Sequence, residues 1–259
     1  MIHHMKLKKS PFMKIKNNKK TVELRLNDEK RQKVHVGDFI EFCLLDDPNE
    51  KIQTRVTALH HFDSFEELYA FFPKEKLGYT ASEIPDPEHM TEYYPREKQR
   101  QYGALGIELR MTDLQKFIDA QDNGYGFGET YQTALSEMKQ GEKLTHWIWY
   151  IFPQIQGLGF SEVTAYFSIK DISEAVDYYA HPVLGERLIE ITRTLMDIET
   201  DDPMAVFGHI DAYKLRSCMT LFKYAAPQQK LFKQVLDKFC LGAEDEKTLE
   251  ILGITNDLI

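Results

Sequence analysis

Cysteine is scarce in this chain: three occur in 259 residues, Cys43, Cys218 and Cys240, far apart. That spacing makes neither a disulfide framework nor a zinc ligand set, and it favours reduced thiols inside a cell. No apolar run approaches the roughly twenty residues that span a bilayer. The opening MIHHMKLKKSP is basic but lacks the apolar stretch of a signal peptide. A cytoplasmic protein without a membrane partner is therefore expected. His3 and His4 read as a ragged start rather than as metal ligands. Also missing are a Walker loop, a Rossmann fingerprint, HExxH, CxxC and G-x-S-x-G. GYGFGET at 124–130 lacks the lysine of a phosphate loop and reads as the flexible entry to a helix. Asp201-Asp202 is a short acidic step, with magnesium an open alternative. No cofactor and no metal site is expected.

What remains is globular, with 42% hydrophobic and 28% charged residues, enough for one large domain or two ordinary ones. The net charge of -9 is unevenly spread. Residues 1–45 carry eleven Lys or Arg against five Asp or Glu, and residues 111–259 carry thirteen against twenty-three. An acidic second half argues against broad wrapping by nucleic acid, because phosphate contacts need local positive charge. The basic first segment can hold an anionic ligand or a short strand of RNA, or be an ordinary solvated face.

Residues 5–62 read as short strands and turns. Thr21 to Leu26 alternate, with Thr21, Glu23 and Arg25 on one face and Val22, Leu24 and Leu26 on the other. Gly37-Asp38 turns into another strand, and Lys51 to Leu59 alternate again. Ser64 and Glu67 form a capping box for a short helix over 65–72. The polar stretch from Tyr79 to Gly103 crosses to a last strand, Ala104 to Arg110. This is a small, strongly curved sheet, read as a barrel. After residue 111 the periodicity turns helical, over 113–121, 129–140, 173–179, 183–198, 212–224 and 228–239. Gly141 and Gly242 mark ends; Pro182 and Pro227 mark starts. The fold class expected is two-domain α+β: a β-barrel over residues 1–110, then a mostly α-helical domain over 111–259.

The run KNNKKTVELRLNDEKRQKVHVGDFIEF, closed by YYPREKQRQYGALGIELR, resembles the ASCH family, a PUA-like barrel. Lys20-Thr21, Glu23, Arg25 and Val36-Gly37-Asp38 carry the match. The resemblance implies RNA or a nucleotide as ligand, in a cleft beside the barrel. Lys20 can pair with phosphate, and Arg25 offers a planar fork for phosphate or base edges. Glu23 can accept from an amino group or hold Arg25. Alternatively, the three form a surface ion network. Some small members resemble amidohydrolases acting on acylated cytidine, using a lysine, a threonine and a distant glutamate. Lys20 matches the lysine, but the threonine register falls near Glu23. Glu66, Glu67 and Glu92 all stand as the distant glutamate.

Residues 113–252 resemble the uncharacterised DUF1810 family through DLQKFIDAQ, HWIWYIFPQIQGLG, HPVLGERL and KLRSCMTLF. The label calpastatin has been attached to some members, but this half is neither disordered nor repetitive. Were the HWIWYIF run helical, His146 would share a face with Trp149 and Tyr150. Trp147, Trp149 and Gln154 offer stacking and amide hydrogen bonds to a planar group, or serve the core. His181 can cap, bind or transfer a proton, and Glu186 and Arg187 read as solvated. Lys214, Ser217 and Thr220 recur at i, i+3 and i+6, suiting an anion, or the hydroxyls bond back to helix carbonyls.

The leading expectation is an RNA- or nucleotide-binding protein with a second small-ligand pocket in its helical half. The ligand residues would be Lys20, Glu23, Arg25, Trp147, Trp149, Gln154, Lys214, Ser217 and Thr220. One alternative is a hydrolase of a modified nucleoside or nucleotide-linked substrate, with His146, His181 and Lys20 as catalytic candidates. The other is a protein-interaction scaffold.

Overall fold

The computed structural model describes residues 1–254 of the chain, so residues 255–259 of the expected second domain lie outside it. The chain divides into two compact units, Met1–Asp113 and Leu114–Ile259.

The first unit holds strands β1 (Ile2–Leu7), β2 (Val22–Leu26), β3 (Phe39–Leu44), β4 (Lys51–Phe62) and β5 (Ala104–Met111). Their order is β1-β3-β4-β5-β2; β1 runs parallel to β3 and the other pairs are antiparallel. β1 and β2 are therefore the two edges, and the sheet is an open half-barrel rather than the closed barrel expected. The backbone ladder does not join the edges. A side chain spans them instead: Nη2 of Arg25 on β2 donates to the carbonyl of Lys6 on β1 at 3.1 Å.

Helices α1 (Lys9–Lys16), α2 (Phe65–Phe71) and α3 (Arg96–Tyr102) complete the unit. α1 was expected as strand. Phe12 and Ile15, three apart and both buried, give it a helical apolar face. His3 is no ragged end either. It lies in β1 opposite Ile40, with Nε2 2.8 Å from Oδ2 of Asp38. The Ser64 cap forms as expected: Oγ accepts from Glu67 N at 3.2 Å, and the Glu67 carboxylate accepts from Asp63 N at 3.1 Å.

β2 is buried on both faces. Val22, Leu24 and Leu26 pack with Phe65, Leu68 and Phe72. Glu23 and Arg25 lie on the other face, opposite Ile107 and Leu105 of the main core. The polar alternation of TVELRL thus points inward.

The second unit is helical: α4 (Gln115–Asn123), α5 (Tyr131–Gln140), α6 (Ile148–Ile151), α7 (Glu162–Tyr166), α8 (Ile172–Ala180), α9 (Pro182–Asp197), α10 (Pro203–Ala225), α11 (Leu231–Cys240) and α12 (Glu246–Leu252). α10 breaks at Gly208, whose φ of 71° is non-helical. α10 packs against α8, α11 and α12, and α9 against α5, α8 and α11. Buried rings fill the interior, among them Phe117, Trp147, Tyr178, Phe222 and Phe232. Among the described residues no helix is long and apolar enough to cross a membrane.

The corner between α8 and α9 has a strict steric demand. His181 ends one helix and caps the next, and Gly185 lies against the preceding helix. A Cβ there would fall 1.9 Å from the Tyr179 carbonyl oxygen. Replacing Gly185 with Ala is expected to destabilise the chain by about 1–3 kcal/mol, the scale of overpacking. Chemical denaturation reads this, and an unchanged midpoint would mean that the corner relaxes freely.

Candidate functional site

The edge-to-edge opening of the first unit encloses a cavity of about 480 Å³. Lys20, Glu23 and Arg25 line it, and all three are tucked away from solvent, with side chains 9%, 6% and 13% exposed. The ion network read as an alternative is formed, but within the fold rather than on the surface. Glu23 lies between the two cations, Oε2 at 3.3 Å from Lys20 Nζ and Oε1 at 2.9 Å from Arg25 Nε. Burial pulls the Lys20 ammonium below the ordinary lysine range, against the opposing attraction of Glu23. Burial acts on Arg25 in the same direction, but Glu23 and Tyr94 outweigh it and hold the guanidinium firmly charged.

Lys20 is placed by the turn after α1. Asn18 takes a left-handed φ of 55°, and the Lys19 and Lys20 amides both donate to the Lys14 carbonyl. Gly78, itself at φ 92°, lies against the Lys20 stem; a Cβ there would come within 3.0 Å of Lys20 Cβ.

Much of the remaining lining comes from the segment read only as a crossing. Met90 is buried, and His89, Tyr93 and Tyr94 also face the cavity. Tyr94 is held parallel to Phe65 at 5.8 Å between centroids. Lys8 lies 4.5 Å over the Tyr93 ring. The Tyr69 and Tyr79 hydroxyls are 3.2 Å apart. The tyrosine pair at 93–94 was the one sequence signal for this wall. Of the three candidate glutamates, Glu92 lines the cavity; Glu66 and Glu67 lie in the exposed first turn of α2.

The second unit distributes its predicted residues differently. Helix α6 starts only at Ile148, with Trp147 as its N-cap, so His146 precedes the helix and shares no helical face with Trp149. His146 is exposed, and its carbonyl accepts from the Tyr150 hydroxyl at 3.1 Å. Trp147 is fully buried and donates from Nε1 to Glu137 at 2.7 Å. Glu137 also accepts from the Leu144 and Thr145 amides and the Thr145 hydroxyl. Burial pushes the Glu137 carboxyl up, but these donors prevail and hold it below the ordinary range.

Trp149 and Lys214 are brought together. The ammonium sits 4.5 Å over the indole ring. Asp211 bridges Lys214, at 2.9 Å, and Lys143, at 2.8 Å. Gln154 is half-buried, and its backbone carbonyl receives the Ile169 amide at 2.8 Å. His181 Nδ1 accepts from the Val183 and Leu184 amides, at 3.2 and 3.3 Å, and caps α9. The Ser217 and Thr220 hydroxyls donate to the carbonyls of Tyr213 and Arg216. Arg187, read as solvated, is half-buried and ties Gln121 to Asp122. Among the described residues no cluster of three or more His, Cys, Asp or Glu is arranged to hold a metal ion.

A family model described as "Protein of unknown function (DUF1810)" matches residues 111–252, and the ASCH domain model matches residues 5–113. The crystal structure of the conserved hypothetical protein Rv1873 from Mycobacterium tuberculosis is 35% identical with a TM-score of 0.52. It covers 55% of this chain and 98% of its own. Protein PF0455 from Pyrococcus furiosus is 30% identical over 44% of this chain and 99% of its own, with a TM-score of 0.34. No curated protein matches.

Two outcomes test this geometry. Glu137→Ala is expected to cost about 2–3 kcal/mol, because it strands buried donors. Since its folded-state acidity is increased, the wild-type carboxylate's contribution is present above the ordinary carboxylate value. It is lost as pH falls through the lowered folded value. Denaturation across acidic pH checks both; equal pH slopes for variant and wild type would contradict the assignment. For Lys20, NMR titration of the side-chain amine should place its midpoint below that of exposed lysines. Glu23→Gln should lower it further, and an ordinary midpoint would contradict the burial.

Proposed function

The chain belongs to the DUF1810 family, and we propose that its other unit, an ASCH domain, binds a nucleotide or one nucleotide of an RNA strand. The observation that carries this reading is the sheltered Lys20–Glu23–Arg25 cluster on the wall of the cavity. Two cations share one carboxylate, so the cluster holds a surplus positive charge where water is scarce. An anion entering there gains more from each cation than it would on open surface. Arg25 offers a fork to phosphate or to a base edge, Lys20 a point charge, and Glu23 an acceptor for an amino group. The tyrosines that line the same cavity supply faces on which a base can stack.

The helical unit supports a narrower reading than its sequence invited. Trp149 and Lys214 are the one pair of its expected ligand residues that the unit stacks together, which supports keeping them for a planar, anionic group, and the indole Nε1 is a buried atom without a hydrogen-bond partner. The hydrolase alternative has one observation in its favour: burial holds the Lys20 ammonium below the ordinary lysine range, which is the direction a general base requires. Against it, the position three residues beyond Lys20 carries a carboxylate, and His181 is engaged as a helix cap.

The test is direct binding of the four ribonucleoside 5′-monophosphates, followed by titration in rising salt. Lys20→Ala and Arg25→Ala are each expected to weaken binding by about 1–3 kcal/mol, the scale of a charged hydrogen bond. Equal affinity for variants and wild type at every salt concentration would remove both residues from the site.

A further inference from the structure

The cavity at Lys20 has a neighbour. A second cavity, of about 600 Å³, is lined by Met13, Asn17, Asn18, Lys19 and Thr80 among others, and shares Lys14 and Tyr79 with the first. The partition between them is thin. It consists of the Lys14 side chain, the Tyr79 ring 5.8 Å from the Lys14 ammonium, and the packed Lys20 stem and Gly78. Gly78 permits this thinness, because its would-be Cβ lies 3.0 Å from Lys20 and 3.2 Å from Lys14.

Each feature suits a polymer rather than a monomer. A cation on a partition between two cavities is placed for a group that belongs to both neighbours, and in a nucleic acid strand that group is the linking phosphodiester. The second cavity repeats the chemistry of the first, with Lys14 and Lys19 as cations and Tyr79 as its aromatic wall. Its amides come from Asn17 and Asn18, whose side chains offer both donors and acceptors. Glu75 is the one acid among its described lining residues, so the positive sign prevails.

Resting on the nucleotide reading of the first cavity, we infer that the two cavities are consecutive subsites for a single-stranded oligonucleotide. The first takes one nucleotide at Lys20, Glu23 and Arg25. The second takes the adjoining nucleotide of the same strand, Lys14 receives the phosphate between them, and Lys19 serves the outer subsite.

The experiment compares the four ribonucleoside 5′-monophosphates with the four 5′-phosphorylated homodinucleotides on the full chain and on Lys19→Ala. The expected result is that at least one dinucleotide binds tenfold or more tighter than its monophosphate. Its salt dependence should be steeper, by about 0.7 in log–log slope per added phosphate contact. Lys19→Ala should abolish most of that excess while leaving monophosphate affinity and thermal stability unchanged. Equal affinities and slopes for mono- and dinucleotide would overturn the second subsite and leave the first standing. An excess that survives in both Lys19→Ala and Lys14→Ala would overturn it as well. No binding of either probe class would overturn the nucleotide reading and this inference together.

Discussion

The first unit depends on one carboxylate held between two cations. β2 is an edge strand buried on both sides, a position that an alternating strand fills only if its polar face finds charge partners internally. Glu23 does this for Lys20 and Arg25 at once. Arg25, so held, reaches the Lys6 carbonyl on the opposite edge and spans a sheet that its ladder leaves open. Breaking such a pair costs more than forming it contributes, because a lone buried charge remains. The opening between the edges and the charges that line it therefore share an origin.

The second unit shows the same logic with a different outcome. Glu137 gathers the Leu144 and Thr145 amides, the Thr145 hydroxyl and the Trp147 indole, and so fixes the turn that leads into HWIWYIF. One tryptophan is thereby committed to the interior, while Trp149 lies beneath Lys214. A segment that looks like one aromatic wall thus gives its two tryptophans different partners, Glu137 for Trp147 and Lys214 for Trp149.

The alternation of TVELRL was legible, as was the grouping of Lys20, Glu23 and Arg25. Their burial was not, because a strand packed on both faces leaves no trace in its own pattern. α1 was misread because KSPFMKIK is short, and its apolar residues fit period two almost as well as i, i+3. The cap at Ser64 could be read because it depends on neighbours three residues apart. The cap at His181 could be read only as one of several roles. Tyr93 and Tyr94 were visible as a pair, but their approach to β2 arises from contacts some seventy residues apart in the chain. Glu137 sits in LSEMKQG, where an acid normally signals a solvated face, and its donors belong to the following turn. Local chemistry is written locally; the partners that make it a site are not.

The most direct measurement is an amide and side-chain chemical-shift map of the full chain during titration with the four ribonucleoside 5′-monophosphates. The account predicts saturable shifts concentrated on Lys20, Glu23 and Arg25 and on Tyr93 and Tyr94 of the same cavity. Shifts confined to the helical unit, or none at millimolar nucleotide, would contradict it.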